Sequence, residues 1–183
     1  MAPPGELRAR IAARATRSLE CIVHRITRPS AHPLLPSTSG GRWAPASEPG
    51  APSVPVLYTS FEPDGALAEV ASYLALLSPP PGKPLAAHRI AVALARVVRL
   101  DEDTLHEVGV DRAAFHARHY QRTQEVGAEV AALGYEGLIV PSARWTCDNL
   151  VIFTANLSPE SRLAVEATDV VDWQAFARRQ GLL

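Results

Sequence analysis

The sequence has little cysteine, no long apolar run and almost no net charge. Only Cys21 and Cys147 occur, far apart and without a CxxC pair, which argues against the cysteine-rich zinc folds and any metal site built on them. A disulfide between them is left open, but two buried reduced thiols are the expectation for a cytoplasmic chain. No apolar stretch approaches the ~20 residues of a membrane-spanning helix. The first twenty residues, MAPPGELRARIAARATRSLE, lack the apolar core of a signal peptide. No membrane partner is therefore expected, and the expected location is the cytoplasm. A formal net charge of −1 gives no general attraction to nucleic acid or anionic lipid, though a local basic pocket is compatible with it. The GxGxxG, Walker, HExxH and GxSxG patterns are all absent, so none of the motif-defined phosphate, zinc or serine-nucleophile sites applies.

What is present suits a globular chain: 183 residues, 47% apolar and 20% charged, enough for one domain with a substantial core. Residues 5–19 read as a short amphipathic helix with Leu7, Ile11 and Leu19 near one face. Residues 1–19 are accordingly taken as an N-terminal helical extension and 20–183 as a single domain. Strands are expected over 20–26, 56–59, 88–94, 97–100, 138–140, 150–154 and 162–168. Helices are expected from about Ser60, as a cap with Pro63 in its first turn, to Leu77, over 118–133 with Gly134 as a C-terminal cap, and over 172–179. Residues 101–109 read as a short helical turn. Strands and helices mix without regular βαβ alternation, which indicates an α+β fold. His116 and His119 are spaced to meet on a helix face, but two histidines lack the third ligand a metal requires. The acidic run Asp101–Asp103 reads as a helix N-terminus.

The stretch from 27 to 55 is too rich in proline, serine and glycine for regular structure. Three arginines, Arg25, Arg28 and Arg42, bracket its first part, and Gly40-Gly41 permits unusual backbone angles just before Arg42. These belong to an ordered series: His24-Arg25-Ile26, Gly40-Gly41-Arg42-Trp43, Leu57-Tyr58-Thr59-Ser60, Ala66-Leu67-Ala68-Glu69-Val70, Gly137-Leu138-Ile139-Val140-Pro141-Ser142-Ala143 and Asn149-Leu150-Val151. The series resembles the RES-domain family, toxin components of bacterial toxin–antitoxin pairs, over about residues 20–157. The resemblance implies a mixed, partly split β-sheet flanked by helices, like that of the ADP-ribosyltransferases, around a cleft for NAD+. It implies breakdown of NAD+ to nicotinamide and ADP-ribose, or transfer of ADP-ribose to a protein, with NAD+ as substrate and no further cofactor. It also implies a cognate antitoxin with a helix-turn-helix domain, and a homo-oligomer within the toxin–antitoxin complex is compatible with it. Carried over by position, the catalytic residues are Glu69 and Arg25, and the substrate-binding residues are Arg42, Tyr58 and Ser142. The chain departs from the family pattern at His24, where an aromatic is usual, and after Trp43. Those departures motivate a third reading, a non-catalytic module that binds NAD+ or a protein.

The chemistry suits these residue types. Guanidinium forks match the oxygens of a diphosphate, so Arg25 and Arg42 at the two ends of one loop are placed to converge on it. Their alternative is pairing with surface carboxylates. Cleavage at ribose C1′ builds positive charge on the sugar, as in glycoside hydrolysis, and a carboxylate such as Glu69 stabilises it. Yet Leu67, Val70, Ala71, Leu74 and Leu77 form the apolar stripe of the helix. Glu69 lies opposite that stripe, so periodicity alone reads it as solvated. Tyr58 offers a ring to stack on nicotinamide, or else fills a half-buried strand position. Ser142 is a donor to ribose or amide, or an ordinary turn serine. Asn149 and Arg144 read as loop structure and surface charge.

Overall fold

The computed structural model describes residues 4–47, 53–111 and 113–183. Residues 48–52 of the expected loop, the first three residues and residue 112 lie outside that set. Eight strands are described: β1 Thr16–Thr27, β2 Ser39–Gly41, β3 Ala44–Ala46, β4 Val56–Ser60, β5 Leu85–Arg99, β6 Gly137–Pro141, β7 Asp148–Phe153 and β8 Arg162–Val171. The helices are α1 Pro4–Ala12, α2 Pro63–Leu74, α3 Glu102–Glu107, α4 Gln121–Ala132 and α5 Trp173–Arg179.

The main sheet has the order β1-β4-β7-β6-β5-β8, with β1 also paired to β5. The pairings β1–β4–β7–β6–β5–β1 thus return on themselves. The join between β1 and β4 is slight, a single registered pair His24↔Ser60, whereas β1 and β5 run antiparallel along most of their length. The expected α+β class, a mixed sheet with flanking helices, is what forms.

Alternation along the strands divides the core. Val23, Leu57, Ile90, Val92, Leu94, Val97, Ile139, Leu150 and Ile152, drawn from all five strands of the ring, form one apolar cluster. The opposite faces pack against helices: α1, α3 and α4 on one side through Leu7, Ile11, Leu105, Val126 and Val130, α2 and α5 on the other through Leu67, Ala71, Trp173 and Phe176. Each fully buried side chain of this size stabilises the fold by roughly 1.5–3 kcal/mol.

Several expectations are corrected. The N-terminal helix ends at Ala12, and Leu19 belongs to β1. Leu7 and Ile11 are part of the main core, so the segment before residue 20 is not a separable extension. The two strands expected over 88–94 and 97–100 are one strand, β5, whose length lets it pair with β8, β1 and β6. Glu62 rather than Ser60 stands at the N-cap position of helix α2, without a side-chain capping bond, and the helix ends at Leu74, which leaves Leu77 41% exposed instead of on the apolar stripe. His116 and His119 lie in the turns before α4, not on a helix, and no cluster of metal-ligating side chains occurs among the described residues. The loop after β1 is not structureless: β2 and β3 form a small hairpin within it. Cys21 and Cys147 are free thiols but only half-buried.

Asp101 behaves as read. It caps α3 by accepting from the Thr104 N–H at 2.9 Å, and the Thr104 hydroxyl is the first cause holding its carboxyl low.

Candidate functional site

Helix α2 starts with Pro63 at its first turn, and Gly65 lets it approach the sheet: a Cβ there would lie 2.5 Å from both Ser60 Oγ and Cys147 Sγ. This closeness brings Glu69, one turn further on, over the ends of β6 and β7. Glu69 is half-buried, not solvated as the wheel reads it. Its Oε1 accepts from Ser142 Oγ at 2.7 Å and from Asn149 Nδ2 at 2.9 Å. Ser142 follows β6 and is 8% exposed. Its hydroxyl also accepts from the backbone N–H groups of Arg144 and Trp145, each at 3.1 Å, so it is at once a turn cap and a donor to the carboxylate. Asn149 lies on β7, in register with Ser60 of β4 and Val140 of β6.

Arg42 lies within electrostatic reach of this carboxylate. Arg42 is half-buried, and burial is the main influence lowering its guanidinium pKa. Tyr120 and Glu69 act in the opposite sense, and Arg144 and Arg118 add to the lowering. Arg42 therefore feels Glu69 on one side and the like charges of Arg118 and Arg144 on the other. The Arg42 fork is already engaged. Nη1 donates to the Phe115 carbonyl at 2.6 Å and Nη2 to that of Ala117 at 3.3 Å. Its plane lies 4.9 Å from the Phe115 ring centroid and 4.7 Å from that of Tyr120. Residues 113–120 are tied further by His116 Nδ1 at 2.9 Å from the Ala143 carbonyl oxygen and by Arg118, which donates to the Ser72 carbonyl. Two cavities flank Phe115. One of ~230 Å³ is lined by Arg42, and one of ~250 Å³ by Ser142 and His116.

Tyr58 supports the Arg42 hairpin. Its hydroxyl accepts from the Trp43 N–H at 3.3 Å, and burial pushes the phenol up to about 12, so it stays neutral. Gly41 is required beside it: a Cβ there would lie 2.6 Å from the Tyr58 hydroxyl.

Arg25 stands apart from this group. It shares the alternating face of β1 with Val23, donates from Nη2 to the Leu35 carbonyl at 2.9 Å, and leaves Nη1 buried without a partner among the described residues. Burial lowers its pKa. The structure thus joins Glu69, Ser142 and Asn149 directly, brings Arg42 into their field with Tyr58 behind it, and sets Arg25 on a neighbouring face. The sequence offers Asn149 only as a second-tier candidate beside Arg144, and the structure bonds it to Glu69. The signal for Asn149 was its place in the ordered series, a polar residue heading an apolar strand.

The RES domain model matches residues 22–174, and the chain belongs to the RES-domain family. In three dimensions it is similar to a chain in the crystal structure of the M. tuberculosis MbcT–MbcA toxin–antitoxin complex. The TM-score is 0.76 at 19% identity, covering 96% of this chain and 97% of that one. No curated protein matches the sequence.

Proposed function

We propose that this protein is the toxin of a bacterial toxin–antitoxin pair and that it hydrolyses NAD+ to nicotinamide and ADP-ribose in the cytoplasm. The observation that carries the reading is Glu69 Oε1 held by two donors, Ser142 and Asn149, within the field of Arg42. The family membership and the mixed sheet with flanking helices support it.

The bond between ribose C1′ and the nicotinamide nitrogen breaks, and its electron pair leaves with nicotinamide. C1′ gains positive charge, and the fixed Glu69 carboxylate stabilises it. A water oxygen then bonds to C1′ and releases one proton. Arg42 is the diphosphate ligand in this scheme, with Arg118 and Arg144 adding positive field and Tyr58 holding the Arg42 hairpin. Arg25 adds positive charge from the adjoining face rather than a direct contact, since its Nη1 is buried. The partner is a cognate antitoxin with a helix-turn-helix domain. Tyr73 and Leu76, 56% and 64% exposed at the end of the Glu69 helix, supply an apolar surface for it.

The test is nicotinamide release from NAD+ by purified protein. Glu69→Ala is expected to lower it by at least about 10²-fold. Glu69→Gln keeps the shape and loses the charge, so it is expected to fall nearly as far. Turnover at the unaltered rate in Glu69→Ala excludes this mechanism. ADP-ribose recovered on a protein rather than free identifies a transferase, and intact NAD+ identifies a binding module.

A further inference from the structure

Residues 113–120, between α3 and α4, separate two halves of the candidate site. Phe115 lines both cavities there, one of ~230 Å³ together with Arg42 and one of ~250 Å³ together with Ser142. Arg42 and the serine that bonds Glu69 thus border different hollows, with one aromatic side chain common to the two. Each hollow falls short of the ~300 Å³ at which pockets for small organic ligands begin, and only joined do they enter that range.

The segment is tied down at three places. Arg42 donates to the Phe115 carbonyl at 2.6 Å and to the Ala117 carbonyl at 3.3 Å. His116 Nδ1 lies 2.9 Å from the Ala143 carbonyl oxygen, next to Ser142. Arg118 donates to the Ser72 carbonyl at 2.7 Å, on the helix that carries Glu69. These ties run from the Arg42 hairpin, past the turn after β6, to α2. Little apolar burial adds to them, since Ala113, Ala114, His116, Arg118 and His119 are exposed. A segment held this way belongs to the part of a fold that opens at low cost.

The Arg42 tie is the one a ligand can take over. Its fork is spent on two neutral carbonyls, and a bond from guanidinium to an ionised oxygen is about twice as strong as a neutral one. We propose that residues 113–120 form a strap that keeps the site divided in the unliganded protein, and that a diphosphate releases it by drawing the Arg42 fork away from the Phe115 and Ala117 carbonyls. Phe115 then leaves its place and the two hollows join. The choice of ADP-ribose as the ligand rests on the proposed function; the strap and its ties do not. Binding needs the released form, so the apparent affinity is reduced by the fraction of chains released. Loosening a tie elsewhere on the strap therefore tightens binding.

The first test is trypsin cleavage after Arg118, followed by mass spectrometry, because cutting at such a site tracks the opened population. ADP-ribose is expected to speed this cut in wild type by about threefold or more, and adenosine, which lacks the diphosphate, to leave it unchanged. Arg42→Ala, with its fold checked by thermal melting, is expected to be cut fast with or without ADP-ribose. No acceleration by ADP-ribose, equal acceleration by adenosine, or slow cutting of Arg42→Ala overturns the proposal.

The second test is calorimetry with ADP-ribose on wild type and His116→Ala, which loses the tie to Ala143. Affinity is expected to rise by about threefold or more. Unchanged or weaker binding shows that His116 merely supports the site and overturns the strap, as does a failure of wild type to bind ADP-ribose. Neither test reads turnover. If both succeed and NAD+ stays intact, the proposed reaction fails and the strap stands.

Discussion

His88 shows how one residue sets a pH limit. It is 4% exposed on β5 and lies between two hydroxyls, Thr27 Oγ1 at 2.8 Å and Thr168 Oγ1 at 2.9 Å. Either hydroxyl can donate or accept, so a neutral imidazole with one donor and one acceptor is fully matched. Burial, and then the charge of Arg25, lowers the His88 pKa. His24 shifts the same way, through burial and then Arg89. The folded value lies below the unfolded one, near 6.5, so the unfolded chain binds more protons on the acid side. Stability is complete above about pH 6.5 and is lost as pH falls through the folded value. Melting temperature is expected to decline from pH 6.5 towards 5, with a shallower slope in His88→Gln. Equal slopes in the two proteins rule His88 out as the cause. Nothing in the sequence marks this residue, because its two threonine partners come from strands 61 and 80 residues away.

Between elements, close backbone approach decides where the Arg42 hairpin sits. Helix α4 touches it at Gly127, where a Cβ would lie 1.8 Å from the Trp43 carbonyl oxygen. Gln124 of the same helix donates to the Gly41 carbonyl at 2.9 Å. Gly127→Ala therefore pushes the helix and hairpin apart. It is expected to cost about 1–3 kcal/mol by overpacking and to weaken activity through Arg42, read as a drop in melting temperature together with a raised KM. An unchanged melting temperature contradicts the contact. The Gly-Gly-Arg-Trp stretch was legible as a hinge carrying an arginine. Its partner helix was not, since Gly127 resembles a mere defect in helix propensity until Trp43 is seen against it. Glu69 fails in the opposite way. A helical wheel sorts side chains by one core, and α2 faces both a core and a polar turn.

For the molecule as a whole, the strand pattern gave the α+β class and most strands and helices within a few residues, because apolar runs and Pro-Gly breaks are local signals. Ring closure and the union of two expected strands into β5 depend on long-range pairing, which local pattern does not encode. Glu136 belongs to this level. It is 1% exposed and accepts from the Ala95 N–H at 2.6 Å, the Ser158 N–H at 2.9 Å and the Ser161 hydroxyl at 2.9 Å. It thereby joins the middle of β5 to the approach of β8. Burial acts to raise its pKa, but the donors outweigh it and hold the carboxyl below the usual range. Glu136→Ala leaves several buried donors unmatched and is expected to lower stability by about 3 kcal/mol, measured by urea unfolding. A loss under about 1 kcal/mol contradicts that account.

The carboxylate of the Glu69 cluster and its two donors are separated by 73 and 80 positions along the chain. A growing polypeptide therefore carries the acid long before it carries the groups that aim it. The cluster is complete only once β7 has been made, so a chain that has emerged as far as α4 holds the acid without either of its two donors.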